Sequence, residues 1–293
     1  MHPSFFNVFA CLLIALLGSA CSNFKPVTTF AVQTRTLANA FDPMLEQAMH
    51  SCTNNVRRTG IITDRPFQPQ AAMQDATRRC QPYAGALASM AQLNHVVRRY
   101  ADVLATLSND KLARSKDEFG ALGDALGALP SGDASLLDAD KVKRVMQLSE
   151  LLSRIATERR QQDGIAQLLA REDDIVMISD TLRTYAQQHY RDNLRDESQT
   201  MALLERALDN SGAHEPLAAN TLRAKMALDR QQLVERGKQV AAYAEAVSEL
   251  QRSLAALRSK AMNDAQLAQQ LDNYASRVDA LQRAAAQQAS PTW

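Results

Sequence analysis

The chain has 293 residues, with 33 Lys and Arg against 32 Asp and Glu, a formal net charge of +1. That balance leaves no basic footprint of the kind nucleic-acid binding needs. Aromatics are only 5% and glycines number 10, while Ala, Leu, Gln and Arg abound, a bias that suits long helices and argues against a β-sandwich or barrel.

The first feature in chain order is Leu12–Cys21, LLIALLGSAC, which closes an apolar stretch beginning near Phe5 and free of Asp, Glu, Lys and Arg. It is short for a membrane span, which needs about 20 apolar residues. Small residues before a cut site (here Gly18, Ser19 and Ala20) mark a secretory signal peptide. A Cys directly after them resembles the lipobox of bacterial lipoproteins, although Gly18 stands where that family prefers Leu and the n-region has no Lys or Arg. The resemblance covers only this N-terminal stretch. It implies removal of residues 1–20, acylation of Cys21, and an anchor made effectively permanent by several acyl chains. Ser22 is not the Asp that retains related proteins at the inner membrane, so the resemblance implies the outer membrane, with the body facing the periplasm.

Ser22–Thr29 then reads as a polar tether containing Pro26, about 28 Å long at full extension. A first helix is expected over about Phe30–Arg58, ended by Gly60. Leu45, Met49, Cys52 and Val56 give it an apolar stripe, and Asp42-Pro43 looks like a cap that restarts or kinks the helix. After a loop holding Pro66 and Pro69, a second helix is expected over about Ala71–Leu107, kinked at Pro82. Two seven-residue series run along it, Leu93, Tyr100, Leu107 and Met90, Val97, Leu104, as in a coiled-coil seam.

Cys11 leaves with the signal peptide and Cys21 takes lipid, so Cys52 and Cys80 remain as a pair in an oxidising compartment. They are nearly equidistant from the turn near Pro66, which places them opposite each other in an antiparallel hairpin and predicts a disulfide. The alternatives are two buried thiols, or zinc. His50 is two residues from Cys52, but no second His lies near Cys80.

Lys111–Leu129, with Gly120, Gly123 and Gly127, reads as a loosened amphipathic connector; the small-residue spacing also fits a tip touching a membrane or partner. A third helix should start near Asp138, with Val145, Leu148, Leu152 and Ile155 as its stripe, and break over Arg159–Gly164. A short helix follows over Ile165–Arg171. The fourth long helix, about Asp173–Leu208, carries Ile175, Ile178, Leu182, Tyr185 and His189, then Leu194, Met201, Leu204 and Leu208. Beyond a turn at Asp209–Pro216, Met226, Leu233, Val240, Val247 and Leu254 recur every seven residues along Leu217–Ala261. A second set, Tyr243, Leu250 and Leu257, is spoiled earlier by Asp229 and Arg236. Asn263-Asp264 looks like a cap for a last helix with Leu267, Leu271, Tyr274, Val278 and Leu281. No run alternates long enough for a strand. The expected fold is all-α, an elongated antiparallel helical bundle forming a single domain over 30–289, after the signal peptide 1–20 and the acylated Cys and tether 21–29.

Catalytic signatures are missing: there is no P-loop, G-x-S-x-G, H-E-x-x-H or C-x-x-C, and no Glu-x-x-His pair of the ferritin-like kind. No catalytic, cofactor or metal residue is therefore assigned. His2, His50, His95, His189 and His214 are far apart in sequence. Arg57-Arg58, Arg98-Arg99 and Arg159-Arg160 read as solvated helix faces among acids. Tyr185 and Tyr190, with Arg183 and Arg191, read as core and rim. Two function classes fit. One is a non-enzymatic lipoprotein anchored through its N-terminal lipid and acting on a protein partner, in assembly, envelope structure or immunity, with a homodimer as one way of pairing seam residues. The other is a ligand-binding or sensory lipoprotein with an inter-helix pocket near Tyr185–Tyr190.

Overall fold

The computed structural model describes residues 24–63, 66–109, 138–157, 161–211, 215–259 and 261–287. Residues 1–23 with Cys21, the 111–129 stretch, Arg159-Arg160, His214 and residues 288–293 lie outside these. Every regular element among the described residues is a helix: α1 Lys25–Thr63, α2 Pro69–Ser108, α3 Ala139–Thr157, α4 Gln161–Leu169, α5 Glu172–Thr184, a π turn Tyr185–Tyr190, α6 Arg191–Ser211, α7 Pro216–Arg258 and α8 Asp264–Ala286. The all-α bundle expected from composition and heptads is what forms.

Helix ends follow local chemistry. Pro69 and Pro216 open α2 and α7 at the first helical position, where a missing N–H costs nothing. Asp138 accepts from the Lys141 amide at 2.8 Å to start α3. At α8, Asn263 Oδ1 accepts from the Gln266 amide at 2.9 Å, and Gln266 Oε1 accepts from the Asn263 amide at 3.1 Å, a reciprocal capping box.

Several expected boundaries move. The segment 22–29 is not all tether: α1 begins at Lys25, because Pro26 falls in the first turn, where its φ suits a helix and no N–H is needed. Gly60 does not end α1, which continues to Thr63; an interior glycine costs only about 1 kcal/mol. Asp42-Pro43 does not restart the helix either, and Pro43 lies inside it. Proline removes the donor for the carbonyl four residues back, that of Asn39; beside it, Asn94 Nδ2 donates to Ala38 O at 2.8 Å and to Asp42 Oδ1 at 2.7 Å, tying this part of α1 to α2. Gly164 is not part of a break but sits in α4. A Cβ there would come within 3.1 Å of Leu107 and Ile155, so it is a contact glycine between α4, α2 and α3.

The π turn accounts for an irregular stripe. The large buried side chains run Ile175, Ile178, Leu182, Tyr185, then Tyr190, Leu194, Glu197, Met201 and Leu204, with the small Ala186 buried between the two tyrosines. The step from Tyr185 to Tyr190 is one residue too long for a helical repeat, and a π turn absorbs one extra residue without ending the helix.

Hydrogen bonds fix the helix directions. α1 and α2 are antiparallel, pairing Thr28 with Ser108, Ala38 with Asn94 and Cys52 with Cys80. The line α5–π–α6 runs antiparallel to α7, through Glu172–Arg258, Asp180–Gln251, Glu197–Arg236 and Glu205–Arg230. It runs parallel to α1, with Gln47 on Tyr190 and Ser51 on Glu197. These four lines make a long bundle, with α7 about 65 Å from end to end. α8 folds back on α7 and α1 (Arg277–Glu245, Tyr274–Thr34). α3 and α4 pack on α2 near Tyr100 and Leu107. Both additions thicken the end that carries Lys25. One continuous core runs from Val27 to Leu281, dominated at the thick end by Phe30, Phe41, Tyr100, Leu148, Ile178, Tyr243 and Tyr274.

Candidate functional site

The unusual chemistry lies in the thinner half. Asp229 and Arg236, the residues that interrupt the α7 heptads, are both buried. Ser51 and Arg58, two turns apart on α1, face them, and Glu197 comes from α6, with 0% of its side chain exposed. Glu197 Oε2 accepts from Ser51 Oγ at 2.6 Å and Arg236 Nη1 at 3.1 Å. Its Oε1 accepts from Arg58 Nη1 at 2.6 Å and Asn54 Nδ2 at 3.5 Å. Arg236 Nη1 also donates to Ser51 Oγ at 2.9 Å. Arg58 then uses Nη2 to reach Asp229 Oδ2 at 2.8 Å, and Lys225 pairs with the other oxygen of Asp229. Thr200 donates to Asn55 beside them. Three cations and two carboxylates from three helices thus form one layer across the bundle.

At its inner edge, Tyr190 donates to Gln47 Oε1 at 3.1 Å. Burial raises the Tyr190 phenol well above its ordinary range, and the neighbouring Arg236 only partly opposes this. Tyr83 donates to Asn193 Oδ1 at 2.7 Å. Cys52 and Cys80 are joined, with Cα atoms 6.0 Å apart, so the disulfide lies beside Ser51 on the same level.

This layer is saturated rather than poised. Both Glu197 oxygens are taken, and Ser51 already donates to a carboxylate and accepts from a guanidinium. The carboxylate that Ser51 donates to is fully buried and is itself held on both oxygens by guanidiniums. Buried ion pairs contribute little net stability because desolvation offsets the attraction. Their clearest consequence is register: a helix shifted by one heptad would strand a charge in the core.

The tyrosine-rich level above it behaves as core. Tyr185 packs edge-on against Phe41 at 6.4 Å and stacks with His189 at 5.9 Å. Phe41 meets Tyr243 at 4.9 Å, and Phe30 meets Tyr274 at 5.9 Å. Burial pushes the phenols of Tyr100, Tyr185, Tyr243 and Tyr274 above the normal range. The Tyr185 hydroxyl is buried without a hydrogen-bond partner. Arg183 pairs with Asp180 and Ser248, and Arg191 is exposed.

Of the other residues singled out from sequence, His50 is exposed, His95 is half-buried and His189 is half-buried against Tyr185. His95 is held below the usual histidine range by burial and by Arg99 and Arg98. Arg57 is exposed, Arg58 belongs to the buried layer, and Arg98 pairs with Asp42. Among the described residues, no three His, Cys, Asp or Glu side chains could hold a metal ion, and no helix is long and apolar enough to cross a membrane. A shallow surface cleft of about 470 Å³ opens between α3 and the α4–α5 turn, lined by Gln147, Glu150, Leu151, Arg154 and Arg171. Sequence reasoning missed the Glu197 layer. Its signal was present as the two heptad faults, Asp229 and Arg236, and Ser51 and Arg58 had no comparable mark. Compared with family models, curated proteins and solved structures, the chain matches none of them.

Proposed function

We propose that this chain is a bacterial envelope lipoprotein, acylated at Cys21, that acts without catalysis by presenting a helical rod to a protein partner. The carrying observation is the run LLIALLGSAC ending four residues before the first residue of α1. Four residues reach about 14 Å at most, so acylation would hold the thick end of the bundle against the membrane. The far end, with the α1–α2 and α6–α7 turns, would stand roughly 60 Å away. That end exposes Ile61, Met73 and, at 82% exposure, Leu217, which supports a contact role there. The saturated charge layer and the core-packed tyrosines favour a spacer or adaptor over an enzyme.

Metabolic labelling with an alkynyl fatty acid tests the anchor. Label and membrane fractionation should both be lost in Cys21→Ser; retention of either refutes the address. Solvent extraction of the purified mature chain followed by mass spectrometry should recover no stoichiometric small molecule. A recovered ligand would favour the sensory reading.

A further inference from the structure

Core composition changes along the rod. Between Phe30 and Leu45, α1 buries Leu37, Phe41 and Met44, but beyond Ser51 none of its residues is fully buried. Before Leu87, α2 buries only Ala72, Ala76 and Cys80. The hairpin spanning residues 52–80 therefore brings two buried alanines, a disulfide and the partly buried Ile62 to the core. The residues α6 and α7 bury at this level are larger: Met201, Leu204, Met226 and Leu233. What ties the hairpin to them is polar, running from Ser51, Asn54, Asn55 and Arg58 to Glu197, Thr200, Asp229 and Arg236. Such bonds contribute less net stability than packed apolar surface, because water competes for the same groups once the hairpin lifts.

The backbone is also weakened on the inner side of the hairpin, by Pro82 two residues after Cys80 and by Pro43 nine residues before Cys52. Pro43 in α1 and Pro82 in α2 each remove one N–H from the helical ladder. Elements with few buried apolar contacts open with a lower free energy than the global fold.

We propose that the outer part of the bundle is a separate cooperative unit: the cross-linked α1–α2 hairpin lifts off α6 and α7 while the aromatic half stays closed, and the Cys52–Cys80 disulfide sets how readily this happens. The cross-link keeps the two arms paired in the open state and so limits the entropy gained on opening. Reduction removes that limit. A dithiol supplies two electrons and two protons, leaves two cysteine thiols and becomes a cyclic disulfide. The half-buried Cys52 is the accessible sulfur, while Cys80 is buried. Closing a loop with a sequence separation of 28 corresponds to an opening equilibrium raised about 10²-fold when the link is lost. The inference does not depend on acylation of Cys21.

Hydrogen exchange read by mass spectrometry on the mature chain tests it, oxidised, reduced with dithiothreitol, and as Cys52→Ser/Cys80→Ser. In the oxidised protein, amides in 52–62, 70–81 and 197–208 should exchange at least about 10-fold faster than those in 90–104 and 243–256. Reduction should accelerate the first group by a further ~10²-fold and leave the second within about threefold, and the double variant should match the reduced protein. Uniform protection in the oxidised protein would overturn the proposal. So would loss of protection throughout on reduction or in the variant, since that would make the fold one cooperative unit.

Discussion

Removing the Glu197 carboxylate should do more damage than removing the whole ion pair. Glu197 is completely buried and, among the described residues, is the one carboxylate paired with Arg236, whereas Arg58 also holds Asp229. Glu197→Ala leaves the Arg236 guanidinium, whose side chain is 9% exposed, without a counter-charge in the core. Stranding one partner of a buried pair costs about 3–5 kcal/mol, or roughly 6–20 °C in Tm for a chain of this size. In Glu197→Leu/Arg236→Met, both charges go and their volume is kept. Arg58 retains Asp229, and the main loss is the Ser51 hydroxyl, about 1 kcal/mol. The double variant should therefore lie within about 1 kcal/mol of wild type, roughly 2–4 kcal/mol more stable than Glu197→Ala. Urea unfolding followed by circular dichroism, with exchange rates of α6 amides as a local readout, measures both. The reasoning fails if Glu197→Ala stays within about 1 kcal/mol of wild type, or if the double variant is as damaged as the single one.

Three further outcomes follow from local geometry. A Cβ at Gly85 or Gly237 would meet nothing within 4 Å, so alanine at either should stabilise by about 0.5–1 kcal/mol through helix propensity; Gly164→Leu, facing Leu107 and Ile155, should destabilise by about 1–3 kcal/mol. Thermal melts of the three variants should rank them in that order. Tyr185→Phe deletes a buried hydroxyl that has no partner and should leave stability unchanged or raised by about 1 kcal/mol, whereas Tyr274→Phe loses the bond to Thr34 and should cost about 1 kcal/mol; equal effects would contradict this. His95 has a lowered pKa in the folded state, so the unfolded chain takes up its proton first. Stability should fall as pH drops below about 6.5 and level off once the folded form also protonates, and His95→Gln should flatten that part of the stability-against-pH curve.

Much of the architecture was legible because helical packing is local and periodic. The seven-residue series in α2 and α7 specify which faces are apolar whatever they pack against. The position of Cys52 and Cys80 about one turn, at Pro66, specifies an antiparallel pair and hence the cross-link. Proline and glycine were less legible, because their effect depends on what surrounds them. Pro43 looked like a restart or kink, yet the helix continues through it, tied to α2 by Asn94 on Ala38 O and Asp42 Oδ1. Gly164 looked like a break, yet Leu107 and Ile155 fill the space beside it.

The sequence by itself determined the all-helical fold of the described residues and carries a run that resembles a lipobox, since composition, heptad spacing and small residues before a cysteine are all properties of neighbours along the chain. Only the tertiary structure decided that the heptad faults at Asp229 and Arg236 meet Ser51, Arg58 and Glu197 in one buried layer. Those five residues lie up to 185 positions apart. Charge compensation in a low-dielectric core depends on distances in space, which no spacing along a single chain encodes.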